Sequence, residues 1–203
     1  MSYSVYECDY SDIFASQKMS VAMDDPVEIW DVRIKKNSDR TRKLSVFSYL
    51  EFSFHQIAMD NQNFQMSMYA SGSSYEDGII ECDLFYEEFG YQFFTADFTP
   101  DSYDCLRDKF IGSYRTEDNP IGVENCELGN NHCGALHKQL VLKPGEEVRV
   151  IFLLGEGTRE NGKKIRAKYA NGPAADHVYE QLKVYWDKKI NRLQIHTPDE
   201  GMS

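Results

Sequence analysis

LSVFSYLEFSF, from Leu44 to Phe54, decides the fold class. Leu44, Val46, Ser48, Leu50, Phe52 and Phe54 take every second position and alternate with Ser45, Phe47, Tyr49, Glu51 and Ser53. Successive side chains of an extended chain point to opposite faces, so this period of two sets a more apolar row on one face of a strand. Upstream, between Val27 and Ile34, Trp30, Val32 and Ile34 alternate with Asp31 and Arg33. Asn37, Ser38, Asp39 and Arg40 lie between the two runs and supply turn chemistry, so the runs read as the arms of one long antiparallel hairpin.

The same rhythm continues outward. Phe64, Met66 and Met68 predict a further strand, and Ile79–Tyr86 and Tyr91–Phe98 predict a pair around Gly90. Gly134–Leu142 and Val148–Leu154 flank Lys143-Pro144-Gly145-Glu146, where proline presets φ and glycine supplies positive φ; this predicts another hairpin. Tyr3, Val5 and Tyr6 also read as strand residues, and Asp104–Phe110 fits a single helical turn. From Ala174 the period changes: Val178, Leu182, Tyr185, Trp186, Lys189 and Leu193 recur at helical spacing behind Pro173, an amphipathic helix. The stretch Gly155–Gly172, rich in Gly, Lys, Arg and Asn, reads as a loop and as the internal boundary.

Composition narrows the function classes. Among 203 residues, 33 Asp and Glu against 22 Lys and Arg give a formal net charge of −11, which repels nucleic acid and anionic membranes but not a neutral sugar. The first residues, MSYSVYECDYSDIF, lack the basic and apolar regions of a signal peptide, and no apolar run is long enough to span a bilayer. Cys8, Cys82, Cys105, Cys126 and Cys133 are odd in number and scattered, which fits reduced thiols; together these point to a cytoplasmic protein.

Few constellations carry chemistry. Cys126, His132, Cys133 and His137 offer zinc-type donors within twelve residues but no Cys-x-x-Cys pair, so strand and loop roles outweigh a metal site. His55, His177 and His196 are isolated. Glu51, Asp60, Glu76, Asp77, Glu81, Asp83, Glu87 and Glu88 could in principle include the carboxyl pair of glycoside chemistry, yet most carboxylates of so acidic a chain are solvated, and none is assigned a catalytic role. Signatures of phosphate loops, serine hydrolases and zinc peptidases are absent from the sequence, and no cofactor is expected. The segment QIAMDNQNFQ, Gln56 to Gln65, is richer: its amides both donate and accept, which suits sugar hydroxyls, although a polar turn would use the same residues.

That segment lies inside RKLSVFSYLEFSFHQIAMDNQNFQMSMYASGSSYEDGIIECDLFYEEFGYQFFTADF, Arg42 to Phe98, which resembles the N-terminal supersandwich domain of cellobiose phosphorylases of glycoside hydrolase family 94. DSYDCLRDKFIGSYRTEDNPIGVE, GNNHCGALHKQLVLKPGEEVRVIFLLGEG and LKVYWDKKINRLQIHTPDEGM extend the likeness in order, from about Asp24 to the chain end. The resemblance implies a mainly β, antiparallel supersandwich, incomplete at its opening strands, over residues 1–157. Residues 158–203 would then be a loop and linker helix leading to an (α/α)6 barrel that holds the catalytic acid and the phosphate site. It further implies a homodimeric enzyme that converts cellobiose and phosphate, with inversion, to glucose 1-phosphate and glucose. This domain would be non-catalytic, giving dimerisation and sugar-site support through Gln56, Asn61, Asn63 and Gln65. A free-standing carbohydrate-binding sandwich, a small complete glycosidase and a pure scaffold are the competing readings.

Overall fold

The computed structural model describes residues 3–53, 71–85, 90–123, 125–127, 129 and 131–192. Among these, ten strands form two antiparallel sheets. They are β1 (Tyr3–Tyr10), β2 (Ile13–Val21), β3 (Val27–Lys36), β4 (Arg42–Glu51), β5 (Ser71–Glu76), β6 (Ile79–Leu84), β7 (Tyr91–Ala96), β8 (Ser102–Leu106), β9 (His132–Leu142) and β10 (Glu147–Glu156). The large sheet runs β1-β2-β3-β10-β7-β6-β5 and the small one β4-β9-β8. Three helices accompany them: α1 (Arg107–Ile111), α2 (Arg159–Tyr169) and α3 (Gly172–Ile190).

Each face of the large sheet has its own core. Leu50 and Leu136 of the small sheet meet Ile80, Phe94, Ala96, Val150 and Phe152 of the large one, with Trp30 and Val32 packed at the margin. On the opposite face Val27, Ile29, Ile79, Phe93, Ile151 and Leu153 meet Ile165 and Tyr169 of α2 and Ala175, Val178 and Leu182 of α3. Strands buried on both sides explain the nearly unbroken apolar run Val148–Leu154.

β1, β3, β4, β6, β7, β9 and β10 fall where the alternation puts them, β2, β5 and β8 arise where no strand was expected, and two of the expected pairings do not form. Rather than forming a hairpin with β4, β3 pairs with β2 and with β10, Trp30 opposite Met19 and Phe152, while β4 pairs with β9. A period of two is equally what facing sheets require, so it could not tell a hairpin from two layers. Likewise the Lys143–Glu146 turn forms, with the Glu146 amide donating to the Lys143 carbonyl at 3.1 Å and Gly145 at φ 71°, yet β9 and β10 leave it into different sheets. Turn residues reverse the chain; they do not choose its partner. The β6–β7 pair around Gly90 forms as the sequence predicts.

Residues 159–169, expected as loop, are the helix α2. Its apolar stripe is thin, Ile165 and Tyr169, because Gly162 serves as a third contact: a methyl there would sit 3.0 Å from the Phe93 ring. Asn171 caps α3, its Oδ1 accepting from the Ala174 amide at 2.9 Å, with Pro173 in the first turn. The helical turn expected near Asp104–Phe110 is the end of β8 followed by α1. The strand expected around Phe64–Met68 lies outside the described residues.

Arg149 of β10 fastens α3 to the sheet. Its Nε and one terminal nitrogen donate to the two oxygens of Asp31 at 2.7 and 2.9 Å, and its terminal nitrogens also reach Asp176 of α3 at 2.8 and 3.0 Å.

Candidate functional site at one end of the sandwich

Four sequence-distant stretches converge at the sheet end from which the amide-rich segment continues. The Glu156 amide donates to the Pro26 carbonyl at 3.0 Å, the Gly157 amide to the Tyr91 carbonyl at 2.8 Å, and Gln92 Nε2 to the Ser53 carbonyl at 2.7 Å. Two adjoining clefts open along this rim. One, of about 350 Å³, is lined by Pro26–Glu28, Glu51, Ser53, Gln92 and Leu154–Glu156; the other, of about 380 Å³, by Pro26, Tyr91, Glu156–Thr158 and Asn161.

The rim chemistry is polar and net acidic. Glu51 accepts from the Tyr49 hydroxyl at 2.6 Å and from Arg107 Nε at 2.8 Å, and Arg107 also reaches Glu117 at 2.7 Å. Burial, with the Glu51 carboxylate beside it, pushes the Tyr49 phenol up, so it stays a donor. Thr158 donates to Asn161 Oδ1 at 2.8 Å. Glu28, Glu156, Asn161 and Gln92 give such a cleft mostly acceptors with a few amide donors, a set that pairs with neutral hydroxyl or amide groups and repels phosphate.

Gln56, Asn61, Asn63 and Gln65, the expected sugar-contacting residues, lie outside the described residues, as do Asp60, Glu87, Glu88, His55 and His196. The other sequence candidates are dispersed. Glu76 pairs with Arg159 at 2.6 Å, Asp77 with Lys163 at 3.4 Å, and Glu81 accepts from the Arg159 amide at the start of α2. Desolvation raises the Asp83 pKa. His177 lies on α3.

The zinc-type cluster is split by the pleat of β9. His132 faces the core between the sheets: its Nε2 donates to the Ser71 carbonyl at 3.0 Å, and its Nδ1 then accepts from the Ser73 hydroxyl at 2.5 Å. That carbonyl can only accept, which fixes the tautomer, and burial lowers the imidazole pKa. Cys133, one residue on, points to the other side against Phe110 and Ile111, and burial pushes its thiol up. His137 lies near Ser102 Oγ at 2.9 Å and stacks on Phe47 at 4.5 Å. No group of three or more His, Cys, Asp or Glu side chains among the described residues could hold a metal ion. None of the five cysteines forms a disulfide, and no described helix is long and apolar enough to cross a membrane.

The rim residues Glu28, Tyr91, Gln92, Glu156 and Asn161 carried no signal in the sequence, because the pairing of β3, β7 and β10 gathers the first four and the helix α2 brings Asn161 beside them.

Comparison with known proteins brings a consistent set of relatives. The family described as "Glycosyl hydrolase 94, supersandwich domain" matches residues 1–172, so the likeness includes the first 23 residues as well. An N,N'-diacetylchitobiose phosphorylase of Vibrio furnissii is 45% identical over 211 residues, covering 100% of this chain and 26% of its own length. One from Vibrio proteolyticus is 43% identical, again over 100% and 26%. The chain thus spans about a quarter of the length of these curated relatives. Among solved structures, a protein assigned as a kojibiose phosphorylase, from the human microbiome, superposes with a TM-score of 0.50 at 10% identity, covering 89% of this chain and 23% of that one, a likeness of fold.

Proposed function

We propose, since this chain belongs to the glycosyl hydrolase 94 supersandwich-domain family, that it is the non-catalytic β-sandwich of an inverting disaccharide phosphorylase and borders the sugar end of its active site. The observation that carries this reading is the match of residues 1–172 to that domain, together with 45% identity along the whole chain to a disaccharide phosphorylase. The acidic rim supports the division of labour: it suits a neutral sugar and repels the phosphate co-substrate, so phosphate is held, and the glycosidic oxygen protonated, by polypeptide outside this sandwich.

Cellobiose was the disaccharide implied by resemblance, but the relatives at 45% and 43% identity favour N,N'-diacetylchitobiose. Amide side chains at Gln56, Asn61, Asn63 and Gln65 fit that preference, because an acetamido group needs both a donor and an acceptor opposite it. In this reading the enzyme is a cytoplasmic homodimer, and residues 1–157 lend those amides to the neighbouring subunit's acceptor site, while residues 158–203 lead towards the catalytic domain.

Phosphorolysis assays test it. The 203-residue chain alone should release no sugar 1-phosphate from either disaccharide; phosphate-dependent release would overturn the non-catalytic reading. The full-length protein should favour N,N'-diacetylchitobiose over cellobiose by at least roughly ten-fold in kcat/KM. Asn63→Ala with Gln65→Ala should raise KM for the disaccharide more than KM for phosphate, and equal effects on both would remove the amides from the sugar site.

A further inference from the structure

Residues 112–122, directly after α1, form a loop whose ends meet. The Ile121 amide donates to the Ile111 carbonyl and the Gly122 amide to the Phe110 carbonyl, each at 3.1 Å. Glycine stands at both ends with positive φ, 86° at Gly112 and 104° at Gly122, and a methyl on Gly112 would strike the Ile121 side chain. Inside the loop the Asn119 amide donates to the Thr116 carbonyl at 3.0 Å, the Thr116 hydroxyl donates to Asp118, and Arg107 of α1 holds Glu117 at 2.7 Å. The same Arg107 donates to Glu51 in the wall of the rim cleft of about 350 Å³, so one guanidinium ties the loop to the cleft.

Tyr114 stands on this loop, wholly exposed and at φ 62°. Both features cost energy: a ring gains by leaving water, and the left-handed region crowds any residue with a Cβ. Neither packing nor backbone preference puts a tyrosine there, and compact loops that keep such strain are often functional. Residues 113–119 are all exposed, and all but Tyr114 are polar or charged.

We propose that the Tyr114 ring is a platform on which a pyranose ring of the disaccharide stacks, which makes Tyr114 a substrate-binding residue. The inference rests on the function proposed above, in which this end of the sandwich borders the sugar. A pyranose presents an apolar face of C–H groups ringed by hydroxyls, so it is matched by a flat ring set among hydrogen-bonding side chains. Tyr114 supplies the ring, and Ser113 and Asn119 bring donors and acceptors to the same loop. A protein partner would select other surroundings: interface centres are depleted of charge, whereas Arg115, Glu117 and Asp118 lie close to this ring in the chain. The bracing holds the ring in place before the sugar arrives, so little ordering entropy is lost on binding.

Steady-state phosphorolysis of N,N'-diacetylchitobiose by the full-length protein tests the platform. Tyr114→Ala should raise KM for the disaccharide roughly two- to ten-fold, the scale of a ring-on-ring contact, and leave KM for phosphate unchanged. Tyr114→Phe and Tyr114→Trp keep a flat ring and should retain most of the affinity. Tyr114→Gly should raise the disaccharide KM as Tyr114→Ala does without lowering the melting temperature, because glycine adopts positive φ freely. A merely structural tyrosine would instead lower the melting temperature and leave both KM values in place. An unchanged disaccharide KM in Tyr114→Ala, or equal rises for sugar and phosphate, overturns the platform. So does a Tyr114→Ala protein that changes its sedimentation rather than its KM, since the ring would then dock on polypeptide. If Asn63→Ala with Gln65→Ala raises the disaccharide KM and Tyr114→Ala does not, the platform falls and the sugar-bordering reading stands; if neither raises it, both fall.

Discussion

Removing the Arg149 guanidinium should cost the fold about 3 kcal/mol, since deleting one member of a buried ion pair strands the other. Asp31 is 4% exposed and takes two hydrogen bonds from Arg149, whose side chain is 22% exposed. Such deletions cost roughly 3–5 kcal/mol, and the lower end applies because Lys18 and Arg33 each stand 3.9 Å from Asp31 and partly neutralise it. The companion bonds to Asp176, which is 51% exposed, are screened and contribute at most about 1 kcal/mol. In a domain of this size the loss corresponds to a fall in Tm of about 6–12 °C. Urea unfolding of Arg149→Met, followed by circular dichroism, measures it, and Asp31→Asn combined with Arg149→Met should recover a large part because no charge is then stranded. A loss below about 1 kcal/mol for Arg149→Met, or a double variant as unstable as the sum of the singles, would show that Asp31 is not left stranded.

Other outcomes follow from the same contacts. Gly155→Ala would drive a methyl into the Phe93 ring and should destabilise by about 1–3 kcal/mol in the same assay, with Phe93→Leu relieving it. His132 is neutral in the fold with its pKa below the ordinary 6.5, so the unfolded chain binds more protons than the folded one just below that pH. Stability should therefore fall as pH drops from about 6.5, by no more than about 1.4 kcal/mol per pH unit from this group, and His132→Gln should remove that component from pH-dependent melts. Against a thiol reagent under native conditions Cys8 should react first, because Cys82, Cys105 and Cys133 are buried and burial raises their thiols, that of Cys105 to about 12.

Most strands of this protein were legible in its sequence, and their partners and layers were not. Alternation at Trp30–Ile34 and Leu44–Phe54 marks strands because side-chain direction is local, but partner choice is decided by which apolar faces meet, and β3 finds β10 more than a hundred residues away. The helix α2 was hidden because a glycine, not an apolar side chain, makes one of its core contacts. The long amphipathic period of α3 was visible, since three buried positions at helical spacing suffice. The amide chemistry of Gln56–Gln65 was readable in the sequence but lies outside the described residues, whereas Gln92 and Glu156 of the rim are ordinary strand residues until β7 and β10 lie side by side.

The turn that sends β9 and β10 into separate sheets also constrains synthesis. Glu28 has no neighbour on one side until Leu154 arrives, 126 residues later (154 − 28), an interval of roughly 6–25 s at the usual 5–20 residues per second of translation. Throughout it the nascent β1–β2–β3 ribbon is an open template, with Tyr6, Tyr10 and Ile13 bare and an unpaired backbone edge beside them. Holding factors at the ribosome exit, or slower pairing at reduced temperature, should therefore govern recovery of this domain more than its final stability does.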